Sequence, residues 1–286
     1  GEYTQRAFLN GRMDLRQAEA VADVIVSNSA ANHSLAMNQM SGGISKELKN
    51  LREQLLHFTS LLELELDFGD HEELECAVRS ELNDLFDRII AHISKLVGSF
   101  RTGNALKNGV PVAIVGPTNA GKSTLLNALL HEERAIVSDI HGTTRDTIED
   151  TVILGGILFR FIDTAGIRET SDTIEAMGIE RSYSTIDRAE IVLLVTAPDC
   201  YLSEEQLRKI QEQCKGQTLI IVLNQCDTFS APKDDYLAIS AKTGVGVNQL
   251  ESKLVQSMMK NGNENDVLIS NTRHLEALNK ALAGMH

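Results

Sequence analysis

Gly116-Pro117-Thr118-Asn119-Ala120-Gly121-Lys122-Ser123 lies between an apolar run, Pro111 to Val115, and a helical stretch, Thr124 to Leu130. A glycine-rich turn in that setting points successive backbone N–H groups at phosphate oxygens, and the helix N-terminus adds the positive end of its dipole. Lys122 is placed to reach the β- and γ-phosphates, and the Ser123 hydroxyl to bind Mg²⁺. Asn119, Ala120, Gly121 and Thr124 complete the candidate phosphate set. Asp163-Thr164-Ala165-Gly166 ends a second apolar run, Phe159 to Ile162. The Asp163 carboxylate suits the Mg²⁺ shell, and the Gly166 N–H suits the γ-phosphate. Between these motifs stands Gly142-Thr143-Thr144-Arg145-Asp146, whose Thr144 can complete the metal coordination when a γ-phosphate is present. Such a segment is a switch, ordered by triphosphate and released on hydrolysis.

The base is read from Asn224-Gln225-Cys226-Asp227, directly after the apolar run Leu219 to Leu223. Asp227 can accept from the guanine N1–H and exocyclic amine, a pair of donors that adenine lacks, so guanine is favoured. Gln225 stands where G proteins usually carry lysine, which shortens the stem over the base and removes its charge. Ser240-Ala241-Lys242 supplies a further base-side match. The position that holds the water-orienting glutamine in Ras-like proteins is Ile167, which can neither donate nor accept a hydrogen bond.

Two kinds of element must position these groups. From about Asp14 to Phe100, Ala18, Val21 and Ile25, then Leu48, Leu51, Leu55, Leu62 and Leu66, recur at helical spacing. Ser41-Gly42-Gly43 separates the first helix from the second, and Phe68-Gly69-Asp70 ends the second before Leu82, Leu85, Ile89, Ile93 and Leu96 begin another stripe. An antiparallel helical bundle is expected. After Asn108-Gly109, short β-branched runs alternate with helices up to Val247–Met259, the pattern of a mostly parallel sheet with helices on both faces. A polar linker from Lys260 to Asn265 leads to a last stripe at Arg273, Leu275, Leu278 and Leu282. The expected fold is therefore a helical bundle domain with an inserted Ras-like P-loop GTPase domain. Its boundaries are 1–13 as a connector, 14–108 as the first helical part, 109–262 as the G domain, and 263–286 as linker and return helix.

The formal net charge of −13 excludes a surface that is basic throughout, so any RNA contact must be local or shared with a partner. No apolar run is long enough for a membrane span. Cys76, Cys200, Cys214 and Cys226 form no C-x-x-C pair, which fits a reducing cytoplasm rather than a zinc or disulfide framework. His131 and His141 read as solvated loop histidines, and the acidic run from Glu63 to Glu75 as a solvated face. The first residue is Gly1 rather than methionine, so a fragment is expected.

The stretch Gly1 to Arg12, Asp14-Leu15-Arg16-Gln17-Ala18-Glu19-Ala20-Val21-Ala22-Asp23, Asn119, Gly142-Thr143-Thr144-Arg145-Asp146 and Asp163-Thr164-Ala165-Gly166-Ile167-Arg168 together resemble the MnmE/TrmE family across nearly the whole chain. The resemblance implies a K⁺-stimulated GTPase whose G domains form a homodimer through their switch regions. In that family an FAD-containing protein of the MnmG/GidA type is the partner, and wobble uridine of tRNA is modified. Ser138, Asp139, Ile140, His141, Gly142, Thr143 and Thr144 would then line the nucleotide. Asn119, Ser138, Ile140 and Thr143 would hold K⁺, and Glu175 would orient the attacking water. Arg12 would contribute to a tetrahydrofolate site whose main part lies in a preceding domain, and the family's C-terminal Cys motif is not in this sequence. The alternative is a ribosome-assembly switch of the Era/Der kind, for which a basic RNA-binding appendage is expected.

Overall fold

The computed structural model describes residues 1–68, 72–132, 149–162, 184–214, 216–226, 236–259 and 268–285. The chain divides into two compact units, Gly1–Ser27 with Asn32–Lys107 and Gly262–His286, and Asn28–Ala31 with Asn108–Asn261.

The first unit is helical, with α1 (Glu2–Leu9), α2 (Leu15–Val26), α3 (Ala30–Met40), α4 (Gly43–Phe68), α5 (Glu72–Asn108) and, at the end of the chain, a helix named below. Helix α2 starts in a capping box: Gln17 N–H donates to Asp14 Oδ1 at 2.8 Å, and Asp14 N–H donates to Gln17 Oε1 at 3.0 Å. Both pairings satisfy amides that the first helical turn cannot. The apolar stripes converge in part: Leu51 of α4 and Leu85, Ile89, Ile93 and Leu96 of α5 share one buried cluster with Ile269 and Leu278, whereas Ile25, Leu55 and Leu62 are exposed. Gly103 of α5 is pressed against the returning chain, where an added Cβ would lie 2.4 Å from Ile269 O. Polar ties fix both crossings: Lys107 pairs with Asp23 at 2.6 Å, and Arg273 pairs with Glu19.

The second unit contains β1 (Val110–Val115), α6 (Lys122–Glu132), β2 (Asp150–Leu154), β3 (Ile157–Ile162), β4 (Ile191–Thr196), α7 (Glu204–Gln213), β5 (Thr218–Leu223), β6 (Leu237–Ala238) and α8 (Val247–Met259); α9 (Thr272–Met285) closes the helical unit. The strands order as β2-β3-β1-β4-β5-β6. All neighbouring pairs are parallel except β2 with β3. Every residue of β4 is buried, as a central parallel strand covered on both faces requires. On one face Ala113, Val115, Val192 and Leu194 pack with Ile162 and Ile186, and Leu207 and Ile210 of α7 lie against them. Helix α8 buries Val247, Leu250, Leu254 and Met258, a single stripe at helical spacing.

Three features differ from the sequence expectation. Residues Glu2–Leu9, read as a connector, form a helix with no buried residue. The stripe read as one helix up to Ser41 breaks after Val26, where α2 ends at Ser27, whose hydroxyl donates to Val24 O at 2.7 Å. Strand β2 was not anticipated. It is an antiparallel edge strand closed by Gly155-Gly156, both at positive φ (+55 and +79), the two-residue turn that hairpin twist favours.

Candidate nucleotide-binding site

Strand β1 lies between β3 and β4, so the strand order reverses direction at β1. That arrangement opens a crevice at the C-terminal edge, where ligands of open α/β sheets bind. Among the described residues three sequence motifs meet this edge: Gly116 follows β1, Asn224 follows β5, and Ser240 follows shortly after β6.

The phosphate loop has three residues in the left-handed region or near it, Gly116 (φ +144), Asn119 (φ +65) and Gly121 (φ +85). Two of them tolerate no side chain. An ideal Cβ on Gly116 would stand 2.0 Å from Val195 O of β4, and one on Gly121 would stand 2.3 Å from Asn224 Nδ2. Asn119 is among the residue types most readily accommodated at positive φ. Ala120 is fully buried, and α6 is pinned beneath the loop by Leu125, Leu126 and Leu129, each almost completely buried.

Lys122 turns its ammonium back over the loop, with Nζ donating to Gly116 O at 2.8 Å and to Pro117 O at 2.7 Å. Burial pulls its pKa below the ordinary lysine value. A cation held in a desolvated turn by neutral carbonyls is poised for an anion, because charged acceptors compensate the lost hydration far better.

Asn224 joins the two halves of the site. It is 3% exposed; its Nδ2 donates to Ala120 O at 3.0 Å, and its Oδ1 accepts from Ala241 N–H at 2.9 Å. One amide therefore ties the phosphate loop to the Ser240-Ala241-Lys242 loop. Its own N–H donates to Thr196 O at 2.8 Å, which fixes the side chain over the edge of the sheet. The sequence placed Asn224 in the base-reading motif but did not show this bridging role; a short amide directly after a buried strand was the available signal. Ser240, also buried, receives N–H of Thr243 on its hydroxyl at 3.4 Å and donates its own N–H to Val245 O at 2.8 Å. Cys226 N–H donates to Ile239 O at 3.1 Å, and its thiol faces Leu223 O. Lys242 is exposed.

Replacing Asn224 by alanine leaves the Ala120 carbonyl and the Ala241 N–H without this partner in a buried place. At about 1–3 kcal/mol for each of the two stranded groups, a loss of about 2–6 kcal/mol is expected in urea unfolding of the chain. Unfolding at an unchanged midpoint would remove the bridge from the account of the site.

A family model for the MnmE helical domain matches residues 15–286. The chain belongs to the MnmE family. Among curated relatives, the tRNA modification GTPase MnmE of Phocaeicola vulgatus is 57% identical over all of this chain and 60% of that protein. The protein of that name from Parabacteroides distasonis is 56% identical, over all of this chain and 65% of the relative. That of Porphyromonas gingivalis is 51% identical, covering 98% of this chain and 63% of the relative. The chain thus spans 60% to 65% of the length of these relatives.

With respect to the MnmE motifs, Asn119, Ala120, Gly121, Lys122, Ser123, Thr124, Asn224, Gln225, Cys226, Ser240, Ala241 and Lys242 are described, and the loops that carry them stand along one edge of the sheet. Ser138, Asp139, Ile140, His141, Gly142, Thr143, Thr144, Asp163, Thr164, Ala165, Gly166, Glu175 and Asp227 lie outside the described residues. Arg12 is exposed in the helical unit, its N–H donating to Ala7 O at 2.9 Å. Among the described residues no cluster of three histidine, cysteine or carboxylate groups is arranged for a metal ion. Among them, too, no helix is long and apolar enough to cross a membrane.

Proposed function

We propose that this chain binds and hydrolyses GTP and serves the modification of wobble uridine in tRNA. The observation that carries the reading is the Asn224 bridge, which sets a glycine-built phosphate loop and a base-side loop at one sheet edge. The G domain is assigned to residues 109–262, inserted into a helical domain formed by 14–108 and 263–286.

Lys122 and the loop amides receive the β- and γ-phosphates, and Asp227 reads the guanine edge. The donor set fits Mg²⁺, a hard cation that prefers oxygen: the Ser123 hydroxyl at the start of α6, with Thr144 and the Asp163 carboxylate. Ile162, the residue before Asp163 in the sequence, pairs with Ala113 of β1. When bound, the divalent ion neutralises charge on the phosphate oxygens. Gly166 offers its N–H to the γ-phosphate, and Glu175 orients the water in place of the glutamine that Ile167 displaces. Asn119, Ser138, Ile140 and Thr143 would hold K⁺, which would supply the positive charge that an arginine gives elsewhere. Dimerisation of two G domains completes that site. An FAD-containing protein of the MnmG/GidA type is the partner in the tRNA reaction, in the cytoplasm, and Arg12 belongs to a tetrahydrofolate site shared with a preceding domain.

One experiment tests the core of this. Binding of GTP, GDP and ATP, and turnover of GTP, are measured in KCl and in NaCl with Mg²⁺ present. Guanine nucleotides should bind at least tenfold more tightly than ATP, which is about 1.4 kcal/mol. Turnover should require K⁺, rise with protein concentration, and vanish in Glu175→Ala without loss of GTP binding. Equal turnover in both salts removes the K⁺ mechanism, and equal affinity for ATP removes the guanine assignment. Co-purification with ribosomal subunits in place of a flavoprotein would move the reading to the Era/Der kind.

A further inference from the structure

Strands β2 and β3 form the hairpin that joins the two switch candidates. In sequence β2 follows residues 142–146, and β3 runs to Ile162, the residue before Asp163. Among the described residues β2 has β3 as its one strand neighbour, so its place depends on what holds the turn. Two elements press on the Gly155-Gly156 turn. An ideal Cβ on Gly155 would stand 3.0 Å from Val255 of α8, and one on Gly156 would stand 3.1 Å from Ala30 Cβ. Next to the second contact, Ala31 N–H donates to Gly156 O at 3.0 Å. That donor belongs to the first turn of α3, where the helix offers no acceptor, and the hairpin supplies one. The corner between α2 and α3 is anchored in its turn. Asn32 Nδ2 donates to Lys107 O at 3.1 Å, while the Lys107 ammonium pairs with Asp23 of α2 at 2.6 Å. One residue near the end of α5 thus holds both helices that flank the corner, and Ser29 and Asn32 are buried there.

We propose that the corner between α2 and α3 is a positioning strap for this hairpin, and that its hold on Gly156 favours the triphosphate-bound form over the diphosphate-bound form. The proposal rests on the nucleotide reading above and deepens it. The γ-phosphate is the group that gathers the two switch segments. A hairpin already fixed at its turn presents both segments from a firm base, so ordering them costs less conformational entropy. With the strap released, hairpin and segments have to be ordered together when the γ-phosphate arrives. GDP makes no such demand. The strap acts through the main chain, and Asn28–Ala31 carries no phosphate or base motif of its own.

Two substitutions loosen the strap in different ways. Ala31→Pro deletes the N–H at a place in the first helical turn where proline is tolerated. Asn32→Ala keeps that N–H but frees the corner from Lys107. Binding of methylanthraniloyl-labelled GDP and GTPγS to the full chain is measured in KCl with Mg²⁺. GTPγS affinity should fall about three- to tenfold in Ala31→Pro, the range for loss of one hydrogen bond, and in the same direction in Asn32→Ala. GDP affinity should stay within about twofold in both. Coupling free energy is reciprocal, so nucleotide should also act on the corner. In the unsubstituted chain, amides of residues 27–36 should exchange hydrogen more slowly with GTPγS bound than with GDP bound, as mass spectrometry reads it. Circular dichroism of the nucleotide-free variants shows whether they fold. If Ala31→Pro does not, Asn32→Ala decides, and if neither does, the exchange comparison decides. Equal weakening of both nucleotides, which a merely structural role would give, overturns the proposal. An unchanged affinity ratio in the folded variants, a ratio shifted toward GTPγS, or equal exchange with the two nucleotides overturns it as well. Absence of GDP and GTPγS binding to the unsubstituted chain overturns the nucleotide reading together with this proposal, whereas binding of both with an unchanged ratio overturns this one alone.

Discussion

Lys122→Ala is expected to weaken GTP and GDP binding by about a hundredfold and to abolish turnover. The position of the ammonium shows why the effect is large. The ammonium already lies inside the turn, on Gly116 O and Pro117 O, so it needs no long excursion to meet an incoming phosphate. Hydrogen bonds to charged groups contribute about 1.5–3 kcal/mol each, and two phosphate contacts at the lower end give about 3 kcal/mol, or about two decades in affinity. Titration calorimetry measures the loss directly; a fall of less than about tenfold would show that the lysine stays on the loop carbonyls when nucleotide is bound.

The same residue makes a pH prediction whose sign follows from burial. In the folded chain the Lys122 pKa is lowered by desolvation, whereas in the unfolded chain it returns to the ordinary value of 10.5. Between those two values the unfolded state binds more protons, so stability rises as pH increases through that window. Lys122→Met should flatten this alkaline rise in urea midpoints. Nucleotide phosphates relieve the desolvation, and binding should therefore take up protons in the same window.

Gly116→Ala is expected to cost about 3–5 kcal/mol, among the larger losses a single substitution produces. Its Cβ would stand 2.0 Å from Val195 O, and the obstacle is main chain of a fully buried strand in the middle of the sheet. Such a strand is close-packed on both faces and cannot shift to make room. At about 2–4 °C per kcal/mol for a unit of this size, the thermal midpoint should fall by roughly 10 °C. Gly244→Ala is the control. Gly244 also has positive φ (+81), but nothing lies within 4 Å of its ideal Cβ, so only the backbone preference is lost, at about 1 kcal/mol. If the two variants unfold at the same temperature, the close approach of Gly116 to Val195 is not what the glycine serves.

Much of the molecule was legible because its signals are local. The strands at Ile191–Thr196 and Thr218–Leu223 are continuous apolar runs, and Val247–Met259 is a clean helical stripe, so composition over a few residues determined each element. The glycine turn from Gly116 to Gly121 before α6 was legible for the same reason, since its residues are contiguous. Strand β2 was missed because an edge strand needs only alternate burial, seen here at Val152 and Leu154, and that pattern is faint over five residues. The break between α2 and α3 was missed because Asn28–Ala31 belongs with the sheet unit, where Ala31 N–H donates to Gly156 O at 3.0 Å; a partner so distant in sequence leaves no mark nearby.

By itself, the sequence determined which family the motifs resemble, and it supplied the phosphate and base contacts proposed above. Only the tertiary structure decided how the parts are joined: Val195 O forbids a side chain at Gly116, Asn224 spans from Ala120 to Ala241, and Gln225 reaches Asn119. Each of these contacts links residues more than fifteen positions apart, and Asn224 lies 104 positions from Ala120. Propensity and periodicity act over a few neighbours, whereas such contacts exist only once the strand order brings distant loops to the same edge of the sheet.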